Sequence, residues 1–209
     1  MRLTFDTNIF VTAIISKDYN KAVNNFINKQ NSFIPISLNN EVRSVLLKIH
    51  TLLVKISWNY SKNKERFKEY LNEPDLLKIK KDFENIYSFL EKLKDDPEIE
   101  DKIELMADIT TSVLTEIGKV RVHPSQEDEV GPILQRMNSK FELLEGKINN
   151  TKDIKHLILA EAYAEIFADD ETYFITDDFS DIINNKEYIE NILNYVKVFA
   201  FDSSPVSLS

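Results

Sequence analysis

The stretch Arg2-Leu3-Thr4-Phe5-Asp6-Thr7-Asn8 decides the fold. Leu3 to Phe5 read as a short buried strand, and Asp6 to Asn8 carry side chains that accept from the free N–H groups of a helix start. Ile9, Phe10, Ala13 and Ile14 then recur at helical spacing. Working outward, a second helix is predicted from about Lys21 to Asn28, with Ala22, Val23, Phe26 and Ile27 inward. Phe33-Ile34-Pro35-Ile36-Ser37 reads as a strand that Pro35 shortens or interrupts, because proline has no ladder donor. Asn39 or Asn40 reads as the cap of a helix beginning near Glu41, with Val42, Val45, Leu46, Ile49 and Leu53 on its apolar face. Strand, helix, helix, strand, helix is the opening of an α/β domain with a parallel sheet.

The far end of the chain completes that pattern. Gly146 to Thr151 is a polar loop, and Asp153 opens a helix with Ile154, Leu157, Ile158, Ala160, Ala164 and Phe167 apolar. Thr172-Tyr173-Phe174-Ile175-Thr176 is a β-branched and aromatic strand that ends in Asp177-Asp178. A short helix around Tyr188 to Leu193 leads to a last strand, about Val196 to Phe201, and Ser203 to Ser209 read as a loose tail. From about Lys62 to Lys147 no strand is predicted. Three apolar stripes at three- and four-residue steps run there instead: Leu76 to Leu93, Ile99 to Ile117, and Val130 to Leu144. Asp96-Pro97 and His123-Pro124-Ser125 mark the breaks between them, and Pro132 kinks the third stripe or delays its start.

Composition narrows the chemistry. Of 209 residues, 43% are hydrophobic and 29% charged, which suits a globular protein with a substantial core. No cysteine occurs, so thiolate ligands, disulfides and cysteine nucleophiles are excluded. The apolar run that ends at Asp6 is too brief for a signal peptide, and no apolar stretch reaches the roughly 18 residues of a membrane span. A cytoplasmic location with no membrane partner is the expectation. The net charge of −9 runs against a nucleic-acid partner, since binding phosphate usually calls for a basic surface. That objection weakens where several acids surround cations.

Four acids occupy comparable places. Asp6 follows the first strand, Glu41 lies in the first turn of the helix after the second, Asp153 starts a helix, and Asp178 follows the strand ending at Thr176. In an open parallel sheet such positions gather at the carboxyl ends of the strands. Carboxylates packed together need cations, and hard divalent ions with oxygen ligands are the natural partners. Magnesium or manganese held there could activate water and polarise a phosphoryl oxygen. Taken singly, each acid reads more simply as a helix cap, a helix-dipole residue or a turn. The four together, in order, are more specific.

These segments resemble the PIN-domain (PilT N-terminus-like) nuclease family. Leu3-Thr4-Phe5-Asp6-Thr7-Asn8 is similar to its opening strand and Asp-Thr-Asn signature, and Ser37-Leu38-Asn39-Asn40-Glu41-Val42 to its second acidic position. Asp153-Ile154-Lys155-His156-Leu157-Ile158-Leu159-Ala160 resembles the third acidic motif. Phe174-Ile175-Thr176-Asp177-Asp178 resembles the fourth, and Tyr195 to Val198 the closing strand. The resemblance implies an α/β/α three-layer domain with a mainly parallel sheet. It divides the chain into a discontinuous PIN-like domain (1–60 and 148–202), a helical insertion (61–147) that is long for the family, and a tail (203–209).

By the same resemblance Asp6, Glu41, Asp153 and Asp178 bind Mg2+ or Mn2+, with Asp177 replacing or assisting Asp178. Asn8 orients Asp6 or contacts substrate, Thr7 and Thr176 support the site, and His156 touches substrate phosphate or is an ordinary partly buried histidine. The implied activity is metal-dependent endoribonuclease, leaving a 5′-phosphate and a 3′-hydroxyl. The implied partners are RNA, an antitoxin or other protein, and further copies of the chain. Two other readings stand beside it: a catalytically inactive PIN-like scaffold that uses the insertion as a partner interface, and a structure-specific DNA nuclease. Glu161 and Glu165 read as a solvated i,i+4 pair. Lys62, Lys64, Arg66, Lys68, Lys78, Lys80 and Lys81 read as a solvated face, and Phe67, Tyr70 and Phe83 as core, rather than as a grip on RNA.

Overall fold

The structure is a computed structural model and describes residues 2–29, 31–62, 84–120, 124–168 and 171–203. The basic and aromatic residues expected between Lys64 and Phe83, with the apolar stripe from Leu76 to Ile79, lie outside the described residues, as do the Lys62 and Ser125 side chains.

Three strands, β1 (Arg2–Phe5), β2 (Thr172–Thr176) and β3 (Val196–Ala200), form a parallel sheet in the order β1-β2-β3. The register pairs Phe5 with Ile175 and Thr176 with Ala200, so the carboxyl ends of the strands lie side by side. The chain is thus an α/β protein, mostly helical, around a small parallel sheet. β2 is central, with Thr172, Phe174, Ile175 and Thr176 buried and Tyr173 half-buried, as suits a parallel strand between helices.

Nine described helices surround the sheet: α1 (Thr7–Thr12), α2 (Lys17–Asn28), α3 (Ile36–Lys62), α4 (Glu84–Leu93), α5 (Ile99–Glu116), α6 (Pro124–Arg136), α7 (Asn138–Glu145), α8 (Thr151–Ile166) and α9 (Lys186–Ile192). Alternation along the strands sorts them into two cores. Leu3, Phe5 and Ile175 join the apolar faces of α1 to α5, while Phe174, Val196 and Val198 join those of α7 to α9. The middle of the chain contributes to both. Ile86, Leu90, Ile103 and Met106 enter the first core and Met137 and Leu144 the second. The expected inward residues of α2, Ala22, Val23, Phe26 and Ile27, are all buried.

Three local expectations change. The strand expected at Phe33–Ser37 is reduced to isolated bridge residues, Ser32 paired with Leu3, and Ile34, whose N–H donates to Val120 O at 2.9 Å. Leu3 bonds to the residues on either side of Ser32, its N–H donating to Asn31 O and its carbonyl accepting from Phe33 N–H, each at 3.0 Å. Pro35 then ends the ladder, having no N–H, and its carbonyl accepts from the Asn39 N–H at 2.8 Å to start α3. The helix therefore begins at Ile36, not near Glu41, and Asn39 is inside it rather than a cap; its buried amide donates to Ile117 O at 3.4 Å. Glu41 falls in the second turn. At α8 the cap is Asn150, whose side chain accepts from Lys152 N–H, and Asp153 sits in the first turn. The third apolar stripe is divided between α6 and α7 at Met137, and Pro132 lies inside α6.

Candidate metal centre

Asp6 is placed by backbone geometry. Its N–H donates to Ile175 O at 2.9 Å, extending the sheet by one residue, and its own extended conformation makes it the cap of α1. Oδ1 accepts from Thr7 N–H at 2.7 Å and Oδ2 from the Thr176 hydroxyl at 2.8 Å. The expected capping role is real, and it coexists with a position at the carboxyl edge of the sheet. The residue is buried, at 6% exposure, a costly place for a carboxylate unless charges of opposite sign are near.

Thr176 is fully buried and holds this edge together. Its hydroxyl donates to Asp6 and accepts from Asn8 Nδ2 at 3.1 Å and from Asp178 N–H at 3.0 Å. One donor and two lone pairs are then all used. Asn8 closes the arrangement, with Oδ1 accepting from Asp177 N–H at 3.4 Å. Thr7 reaches across to α3, its hydroxyl donating to Glu41 Oε1 at 3.1 Å.

His156, one turn into α8, stands between two of the acids. Nδ1 is 3.8 Å from Asp6 Oδ1, and Nε2 is 3.5 Å from Glu41 Oε2. The ring is only 5% exposed. Burial disfavours its charged form, but Asp6 and Glu41 outweigh that and raise the pKa to about 9. The same pairing holds the Glu41 carboxyl below the usual range, against the effect of its own partial burial.

Asp153 faces the opposite situation. Its Oδ2 is buried with no hydrogen-bond partner. Burial raises its pKa first, the charges of Asp6 and Asp178 raise it further, and His156 offsets them only in part; the result is about 7. Asp178 differs from Asp177 here. Asp178 Oδ1 accepts from Ser180 and from Asp181 N–H, turning the chain after β2, and its charge acts on Asp153. Asp177 instead accepts from the Tyr19 hydroxyl and the Phe201 N–H.

Asp6 and Glu41 thus meet at His156, and Asp6, Asp178 and His156 act on Asp153, although no three carboxylates or imidazoles among the described residues stand at the spacing of a ready ligand shell. The donors are oxygens, and an orphaned buried carboxylate oxygen beside two further acids is the chemistry a hard divalent cation relieves. In that sense the residues fit Mg2+ or Mn2+. Compared with models of protein families, with curated proteins and with solved structures, the chain matches none.

Three residues near the site escape a reading of the sequence. Asp181 accepts from the backbone N–H groups of Asn149 and Asn150 and so anchors the loop that launches α8. Lys152 and Lys155 are exposed on α8 beside Glu41 and His156. Their spacing from Asp153 was the available signal, but lysines in a helix look the same whether or not they face a cleft. Glu161 corrects an expectation. It is fully buried rather than solvated, and it accepts from Lys140 Nζ, Asn194 N–H at 2.8 Å and Tyr195 N–H at 2.9 Å. It fixes the start of β3, while Glu165 pairs with Arg136 at 2.8 Å.

Proposed function

We propose that the protein is a divalent-metal-dependent endoribonuclease with a PIN-like three-layer α/β/α fold, hydrolysing RNA phosphodiester bonds. One observation carries the reading: Asp153 Oδ2 is buried and unpartnered in a neighbourhood already charged by Asp6 and Asp178. A structural carboxylate would have found donors, as Glu161 did. Asp6, Glu41, Asp153 and Asp178 are the residues that would hold Mg2+ or Mn2+. When bound, such an ion supplies an activated water and neutralises charge on the phosphate. The chain's own part is positional. Thr176 fixes Asp6 and the turn that carries Asp178, Thr7 orients Glu41, and His156 supplies positive charge between Asp6 and Glu41. The resemblance of its motifs to PIN-domain nucleases also supports reading it as the toxin of a toxin–antitoxin pair, and a cytoplasmic site of action belongs to the same proposal.

Purified protein with single-stranded RNA and manganese tests this. Cleavage that needs the metal and is lost in Asp6→Asn is expected. A matched DNA oligonucleotide cut equally well would move the assignment to a DNA nuclease.

One feature favours a second reading. With His156 between Asp6 and Glu41, the acids are partly neutralised without any metal. A catalytically inactive scaffold would keep such an arrangement, and its signature is no manganese binding by calorimetry and no cleavage of diverse RNAs.

A further inference from the structure

A cavity of about 570 Å3 opens beside the carboxylates, between α3, α6, α7 and α8. Its size is within the roughly 300–1,000 Å3 of small-ligand pockets. Of the four acids proposed to hold the metal, only Glu41 lines it. Leu134, Phe141, Leu159 and Tyr163 give it an apolar lining with two aromatic side chains. Ser37, Asn138, Lys152 and Lys155 add hydroxyl, amide and ammonium groups. Among the described residues neither lysine is in an ion pair, and both are exposed. Glu41 and His156 line the cavity and also belong to the carboxylate cluster, so the two spaces adjoin.

We propose that this cavity is a nucleobase subsite, taking a base of single-stranded RNA next to the bond to be cut, with Lys152 and Lys155 against that nucleotide's phosphate. Flat aromatic and apolar walls suit a base, which every nucleotide offers as a stackable face. Ser37 and Asn138 can both donate to and accept from a base edge. Exposed ammonium groups at the same opening, one of them already acting on Glu41, suit a phosphate, and they give an occupant that is only apolar nothing to match. The substrate named here rests on the nuclease reading, but the test does not.

The full-length protein is titrated in EDTA with adenosine 5′-monophosphate and with uridine 5′-monophosphate, followed by 1H–15N chemical shifts. Saturable shifts at Phe141, Lys155 and Leu159 are expected. Leu159→Trp, which fills the cavity, weakens binding at least tenfold, and the surface change Lys155→Glu does so without touching the core. Thermal unfolding checks that each variant is folded. If Leu159→Trp does not fold, Lys155→Glu carries the comparison alone. Nucleotide binding that is sensitive to these changes, in a protein that cuts no RNA with manganese, removes the nuclease reading and leaves the subsite standing. RNA cleavage without nucleotide binding overturns the subsite and leaves the nuclease. Nucleotide binding that ignores the variants, or capture of decanoate or an apolar peptide with no nucleotide binding, also overturns it.

Discussion

Thr176 carries three hydrogen bonds on one hydroxyl, and each partner is a residue of the candidate centre. Thr176→Val keeps the shape and removes the oxygen, leaving Asp6 Oδ2, Asn8 and the Asp178 N–H without that partner. A loss of about 1–3 kcal/mol is expected in urea unfolding, with Thr176→Ser recovering most of it. The charges predict a pH dependence as well. Asp153 binds its proton up to about pH 7 when folded, well above the ordinary carboxylate, so the folded state holds the extra proton and stability falls as pH rises from about 4 to about 7. The His156 pKa is raised to about 9, so its stabilisation is complete below about pH 6.5 and is lost as pH climbs through about 9. Unfolding in EDTA should therefore show stability declining across both windows, and Asp153→Asn should flatten the lower one alone. At this scale the sequence was readable where a motif was local, as in Asp6-Thr7-Asn8. The position of His156 between Asp6 and Glu41 was not readable, because only packing brings α8 against β1 and α3.

Among the elements, β2 was the most legible. Five residues of β-branched and aromatic character, ended by two aspartates, had no competing reading. The Pro35 segment misled for a definable reason. Phe33, Ile34 and Ile36 look like a strand, yet the proline that cuts the ladder also supplies the carbonyl that starts α3. On α8, Glu161 looked solvated because its spacing from Glu165 is that of an ordinary surface pair. Nothing local shows that Asn194 and Tyr195 come to meet it. Breaking that contact is costly. Glu161→Leu strands Lys140 and two backbone N–H groups, and a loss of about 3–5 kcal/mol is expected in thermal or urea unfolding. An exposed change such as Glu165→Ala should cost well under about 1 kcal/mol by the same measurement.

Over the whole molecule, helices from the middle of the chain complete both cores, so their removal should be felt on each side of the sheet. Replacing residues 61–147 by a short flexible linker takes α5 away from α3 on one side and α6 and α7 away from α8 on the other, uncovering apolar residues such as Leu46 and Leu53 of α3 and Leu157 and Ile158 of α8. The expected product shows no cooperative thermal transition and collapsed amide dispersion in its 1H–15N spectrum. A sharp transition would mean that the flanking segments form a sufficient core alone. The stripes announced these helices in the sequence, but their period cannot say which face of the sheet each one covers. The pairing of β1 with β2 has a consequence of another kind. During synthesis β1 emerges first and its neighbour roughly 170 residues later, which is roughly 10–30 s at ribosomal speed. Through that interval Leu3 and Phe5 have no neighbouring strand of the sheet to pair with, and slowing translation before residue 172 should lengthen the exposure of newly made chains to proteases.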